Sequence, residues 1–182
     1  PGLPVLLFQG IDMLHEHLER KALRTPCLKV CVASWLVDVG IRNGVPPEQL
    51  HVVPMGIDHD LYRLTTPLDA RRPRVAMLHS THPAKGWDVG LDALHEVRRR
   101  VPGATAVVFG TSPPPDPLPD WVEVHVDPRA DVLVERVYNE ARVFIQPSDY
   151  EGFGFTAVEA MACGAALVTT DNGGSRDYAV PD

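Results

Sequence analysis

Several features that would each fix a protein's class are scarce or missing in this chain. Its 182 residues include three cysteines, Cys27, Cys31 and Cys163, too few for a disulfide framework and in keeping with a reducing compartment. Cys27 and Cys31 have no suitably spaced second Cys or His pair beside them, so buried thiols fit them better than a metal site. No apolar run approaches the ~18–20 residues of a membrane span. No signal peptide is visible, and a chain that begins at Pro1 without an initiator Met would not display one. Excess positive charge is missing too, the formal net charge being −7. Residues 1–72 carry 8 acidic and 8 basic side chains, whereas residues 73–182 carry 16 and 9. An acidic second half argues against nucleic acid as a partner. Any anionic ligand must then be held by local donors. Internal repeats are absent. The one biased stretch is Thr111 to Pro119, whose five prolines exclude a helix or a central strand.

Apolar residues at 45% and charged residues at 23% are globular proportions. The pattern alternates strand and helix. Val5–Gln9, Lys29–Ala33 and His51–Pro54 read as strands. Between them fall a helix from Asp12 to Leu23, with Asp12 as N-cap, and a second helix capped by Ser34 and ending at Arg42. Asp58 to Arg72 is polar and holds Pro67 and three arginines, the composition of an inter-lobe linker. A second series then begins: strand Arg74–His79, helix Gly86–Val101 with Trp87, Leu91, Leu94, Val97 and Val101 at helical spacing, strand Ala104–Gly110, strand Trp121–Val126, helix Ala130–Ala141 and strand Val143–Gln146. A small-residue helix from Thr156 to Cys163 and a strand over Ala165–Thr170 close it. Strands separated by helices predict a parallel, doubly wound, Rossmann-like α/β sheet with ligands bound beyond the carboxyl ends of its strands. Trp121 reads as packing, and Arg98, Arg99 and Arg100 as cations suited to a helix C-terminus.

The most informative stretch runs from Glu151 to Glu159, two carboxylates with seven residues between them. It reads as strand, Gly-rich loop, helix. Gly152, Phe153, Gly154, Phe155 and Thr156 would then offer backbone N–H groups to an anion such as a diphosphate at a helix N-terminus. Glu151 stands at the mouth of the loop. Glu159 falls about one turn into the helix with Thr156 and Cys163 on its face, and Val158, Met161 and Ala162 are expected on the core side. Carboxylates accept hydrogen bonds from neighbouring hydroxyls, so this pair suits a sugar on a nucleoside diphosphate. In the loop Leu78–Lys85, the cation Lys85 precedes Gly86, and His79 and His82 form an H-x2-H pair read as solvated loop histidines. The string Gly152-x-Gly154-x-x-Ala157, with Asp171 further on, also meets a dinucleotide fingerprint. Its long turn after Gln146 and its late place in the series weigh against an NAD-dependent oxidoreductase.

The ordered set of motifs resembles the retaining, nucleotide-sugar-dependent glycosyltransferases of the two-lobed GT-B fold, family 4, or group 1. The set comprises Asn43–Pro46 and Val53–Asp58, Lys85–Gly86, the E-x7-E pair Glu151 and Glu159, Ala160–Gly164, Val168–Asp171 and Gly173–Gly174. The resemblance implies that 1–57 is the last, incomplete part of an acceptor lobe, 58–72 a linker and 73–182 the donor lobe without its C-terminal end. It further implies transfer of a hexosyl or deoxyhexosyl group to an acceptor hydroxyl with retention, without metal or cofactor beyond the nucleotide-sugar substrate. Lys85 and Glu151 would be catalytic. Glu159 would bind the ribose, and Gly152 to Thr156, with Ser80 and His82, would line the donor site. Family members commonly have Arg where Ser80 stands, so either a histidine takes that role or the phosphates rely on backbone N–H groups. The family's usual setting, polysaccharide or glycolipid biosynthesis, implies a cytoplasmic protein with a glycan or glycolipid acceptor and room for peripheral membrane association. A piece of such an enzyme is expected to be inactive by itself. A non-catalytic nucleotide-sugar-binding module is the alternative.

Overall fold

A computed structural model describes residues 2–10 and 21–180. They fall into two compact units, one made of Pro1–Gly56, Tyr150–Gly154 and Asp171–Asp182, the other of Ile57–Asp149 and Phe155–Thr170. The chain thus passes from the second unit to the first at Tyr150, returns at Phe155 and leaves again at Asp171. Residues 58–72, read as a linker, lie within the second unit.

The first unit holds three parallel strands, β1 Val5–Phe8, β2 Leu28–Cys31 and β3 Leu50–Val52, in the order β1-β2-β3. Helix α1, Trp35–Arg42, buries Leu36, Val39 and Gly40. Gly40 packs closely there, since a Cβ at that position would come 2.6 Å from the end of the Leu50 side chain. Ser34 makes no side-chain cap. Its hydroxyl and amide both donate to Asp177, near the chain's end. The expected N-cap Asp12, with most of its helix, lies outside the described residues.

The second unit is a five-stranded, wholly parallel sheet in the order β6-β5-β4-β7-β8. Its strands are β4 Arg74–Leu78, β5 Thr105–Gly110, β6 Val122–Val126, β7 Val143–Gln146 and β8 Ala166–Thr169. The chain winds outward from β4 to β6, returns to the other side of β4 as β7 and continues to β8. The reversal point therefore lies between β4 and β7, where open α/β sheets take ligands. Central strands are apolar almost throughout, as burial on both faces demands. On one face Val75, Met77, Leu94, Ala106, Val108 and Val122 form a cluster covered by helix α2, Trp87–Arg100, with Trp121 packed against it as expected. The guanidinium of Arg98 stands 5.8 Å over the Trp121 ring. The opposite face carries an aromatic cluster in which Tyr138 meets Phe109 at 5.7 Å and Phe144 at 5.9 Å.

Two expectations fail locally. The helix read over 130–141 is α-helical only in α3, Ala130–Val132, and continues as a π-helical segment, Leu133–Tyr138. The wider turn is closed by the Asn139 amide donating to Val134, five residues back. In helix α4, Phe155–Ala162, the buried positions are Ala157 and Ala160, followed by Cys163, while Met161 is exposed. Small residues let α4 approach β7 and β8 closely, so the larger Val158 and Met161 are not the ones that face the core.

Candidate functional site

At the reversal point two loops meet within the second unit. After β4 the chain runs through His79–His82 into a 3-10 turn, Pro83–Lys85, and then Gly86 in the left-handed region. A side chain at Gly86 would come 2.1 Å from the Pro147 carbonyl in the loop after β7. The Asp149 amide donates to the Ala84 carbonyl at 2.8 Å, tying the same two loops together. A cleft of about 570 Å³ opens beside them, lined by His79, Ser80, His82, Trp87, Pro113 and Asp149 among others. That is the size of a small-molecule pocket.

His79 is not solvated as expected, whereas His82 is half-buried. His79 is buried, its Nδ1 3.1 Å from the Ser112 carbonyl and its ring edge-on to Trp87 at 4.5 Å. His82 Nδ1 accepts from the Ala84 amide at 3.2 Å and so caps the turn that carries Lys85. An accepting Nδ1 leaves the ring proton of neutral His82 on Nε2. Ser80 Oγ accepts from the His82 amide at 3.2 Å. Ser80 and His82 therefore share the cleft, whereas Lys85, on the same loop, is not among its lining residues.

Glu159 occupies a second place in this unit, on α4. Its Oε2 accepts from the hydroxyl of fully buried Tyr138 at 2.8 Å, and the Tyr62 phenol stands close enough for each group to shift the other. Burial raises the Glu159 carboxyl above the usual carboxylate range, partly offset by the two phenols. Burial, then the neighbouring carboxylate, pushes Tyr62 up to about 12 and Tyr138 well above its ordinary value, so both remain donors at neutral pH. Cys163, one turn further along, is raised to about 11 by its burial. Thr156 Oγ1 accepts from Gln146 Nε2 at 3.5 Å. Phe155 is exposed at the start of α4.

Glu151, Gly152, Phe153 and Gly154 belong to the first unit and are fixed within it. The Glu151 amide donates to Asn172 at 2.8 Å, and its carbonyl accepts from the Gly174 amide at 3.2 Å. Trp35 Nε1 donates to the Gly152 carbonyl at 3.0 Å. A Cβ on Gly152 would lie 1.7 Å from the Gln9 carbonyl, so only glycine fits there. Phe153 packs against Tyr178 at 5.7 Å. Burial and Glu151 together raise the Tyr178 phenol. Sequence reasoning missed Tyr62 and Tyr138 as neighbours of Glu159, and Trp35 as the donor to the Gly152 carbonyl. No periodicity marks them, because their hydroxyls and indole N–H act across long sequence separations. Among the described residues no cluster of three or more His, Cys, Asp or Glu could hold a metal ion, and no helix is long and apolar enough to cross a membrane.

A parallel sheet of this order, with its carboxyl-end loops gathered at the reversal point, defines a Rossmann-like lobe. The family profile described as Glycosyl transferases group 1 matches residues 72–181, and the chain belongs to that family. It is 31% identical over 176 residues to the MMP alpha-(1->4)-mannosyltransferase of Mycolicibacterium hassiacum, covering 92% of this chain and 42% of that one. It is 28% identical over 166 residues to the D-inositol 3-phosphate glycosyltransferase of Segniliparus rotundus, covering 79% and 37%. Among solved structures it resembles Anabaena HepE in complex with UDP and glucose, with a TM-score of 0.74, 23% identity and coverage of 97% of this chain and 55% of that one. It also resembles sucrose-phosphate synthase from Thermosynechococcus elongatus, with a TM-score of 0.76, 20% identity and coverage of 97% and 52%. These likenesses bear out the GT-B type of α/β fold. The chain spans about two fifths of the length of the curated relatives and about half of the solved ones.

Proposed function

We propose that this chain binds the nucleoside-diphosphate sugar of a retaining glycosyltransferase, which moves the sugar to a hydroxyl of a glycan or glycolipid acceptor. The observation that carries the reading is the meeting of the β4 and β7 loops at the reversal point of a sheet that belongs to the group 1 family. Lys85 stabilises charge developing on the leaving diphosphate, helped by the N–H groups of Gly154, Phe155 and Thr156 at the start of α4. With Ser80 where relatives commonly have Arg, the Nε2–H of His82 is a further phosphate donor. Glu159 accepts from the ribose hydroxyls. Glu151, held with Gly152 and Phe153, binds hydroxyls of the donor sugar and orients its anomeric carbon, and neither carboxylate is a covalent nucleophile. No metal or cofactor takes part. The protein works in the cytoplasm.

Two measurements test this. In thermal unfolding with UDP, GDP, ADP and NAD, one of the nucleoside diphosphates should raise the transition, since a ligand bound only by the native state stabilises it. A larger shift with NAD would overturn the reading. Glu159→Ala should weaken nucleoside diphosphate affinity by roughly 1–3 kcal/mol. Glu151→Ala should spare it while impairing sugar discrimination, and equal losses in both variants would contradict this division of roles.

A further inference from the structure

A carboxylate that selects a ribose must present a fixed pair of acceptor sites, and the packing around Glu159 supplies a reason why it would. An ionised carboxylate has about four lone-pair sites. Here the Tyr138 hydroxyl takes one at 2.8 Å, with the Tyr62 phenol close beside the carboxylate. The Tyr138 ring has no freedom to follow a moving carboxylate: it is 0% exposed and wedged between Phe109 and Phe144. Its place at the end of the π-helical segment is set by the five-residue hydrogen bond from Asn139 to Val134. Tyr62 comes from residues 57–72, which are themselves pinned. Asn139 Oδ1 accepts from the Thr65 amide at 2.7 Å and the Thr66 amide at 3.2 Å, and its Nδ2 donates to the Arg63 carbonyl at 3.0 Å. The two phenol rings lie 6.4 Å apart.

We infer that Tyr138, with Tyr62 beside it, is a positioning residue for donor recognition, fixing the Glu159 carboxylate through the Tyr138 hydrogen bond so that its remaining acceptor sites match the two vicinal hydroxyls of a ribose. This rests on the reading of Glu159 as the ribose ligand. It goes further in assigning sugar-moiety selection, ribose over deoxyribose, chiefly to Tyr138 acting through Glu159. Tyr138→Phe and Tyr62→Phe each keep the ring and remove only the donor.

The test is a comparison of ligand ratios. Calorimetric titration of the chain with UDP, GDP and ADP identifies the base that binds best. Wild type and both variants are then titrated with that nucleoside diphosphate and its 2′,3′-dideoxy counterpart. Wild type should prefer the ribonucleotide by at least about tenfold, the scale of hydrogen bonds to a charged acceptor. Tyr138→Phe should shrink that ratio to about threefold or less and Tyr62→Phe should shrink it in part, with dideoxy affinity unchanged in both. Partial unfolding of a variant lowers both affinities together and leaves the ratio intact, so a merely structural role is distinguished. A full wild-type ratio retained in both variants overturns the positioning role while leaving Glu159 as the ribose ligand. A wild type that does not discriminate, or that binds none of the three nucleotides, overturns the reading of Glu159 and this inference with it.

Discussion

Replacing Arg71 by alanine should destabilise the second unit by about 3–5 kcal/mol, the loss of charged hydrogen bonds to several backbone carbonyls less what water recovers. Arg71 is 4% exposed and donates to four backbone carbonyls. Its Nε donates to Thr66 at 2.9 Å, Nη1 to Tyr138 at 3.1 Å and Ala141 at 2.6 Å, and Nη2 to Cys163 at 2.5 Å. Tyr138 and Cys163 close the π-helical segment and α4, so the cation also sits where two helix termini carry partial negative charge. Orphaning these four carbonyls, three of them buried and that of Thr66 part-buried, at ~1–3 kcal/mol each would give a larger figure. Water entering the vacated space and relief of guanidinium desolvation bring it down. With a urea slope near 2 kcal/mol per molar, the midpoint should fall by roughly 1.5–2.5 M. Tryptophan fluorescence reports this, since Trp87 and Trp121 lie in the second unit. Arg71→Lys keeps the charge but concentrates three donors on one nitrogen, and should recover less than half of the loss. An alanine variant within about 0.3 M of wild type would refute the clamp. A lysine variant equal to wild type would show that charge, not the fork geometry, is what matters.

Two further perturbations separate the parts of the site. Gly86→Ala puts a Cβ in the left-handed region and against the Pro147 carbonyl. It should cost at least about 1–2 kcal/mol from the backbone alone, seen as a fall of several degrees in the melting temperature, together with weaker nucleoside diphosphate binding. An unchanged melting temperature would mean that the β4 and β7 loops do not depend on that close approach. Glu159→Gln should be more stable than wild type at pH 7 and equal to it at pH 4. A carboxyl whose folded value is raised takes up protons on folding, so wild-type stability falls as pH rises from its unfolded value near 4.3 toward the raised one. Urea titrations at the two pH values decide this, and a pH-independent difference would rule out the burial account.

The sheet was legible because its cause is local. Val75 to Leu78 and Ala106 to Gly110 are apolar runs bounded by turn residues, and their strands begin and end within a residue or two of expectation. The loops at the carboxyl ends were legible for the same reason, through Gly86, Gly152 and Gly154. What the sequence hid depends on partners remote along the chain. Arg63, Arg71 and Arg72 read as the polar charge of a linker, yet Arg71 is a core residue whose partners lie as far away as Cys163. The π-helical stretch over Leu133–Tyr138 leaves no compositional mark, since Val134, Val137 and Tyr138 suit an ordinary helix equally well. Val158, Met161 and Ala162 attracted a core assignment by their helical position opposite Glu159, whereas close packing of α4 buries the small Ala157 and Ala160.

Stability and recognition meet in one network around α4. Arg71 holds the carbonyl ends of the π-helical segment and of α4, Asn139 holds residues 63–66, and these two supports fix the ring of Tyr138, whose hydroxyl reaches Glu159, and hold Tyr62 beside it. Burying that carboxylate opposes folding at neutral pH, because desolvation is the largest influence on it. A carboxylate kept at such a cost, with only two phenols to offset it, is what a site needing an ionised acceptor for ligand hydroxyls would retain. Folding by itself would be better served by glutamine. The opposing signs expected of Glu159→Gln, a gain in stability at pH 7 and a loss in nucleotide affinity, follow from that one fact. Both signs must appear together for Glu159 to be a recognition residue and not simply a strut of α4.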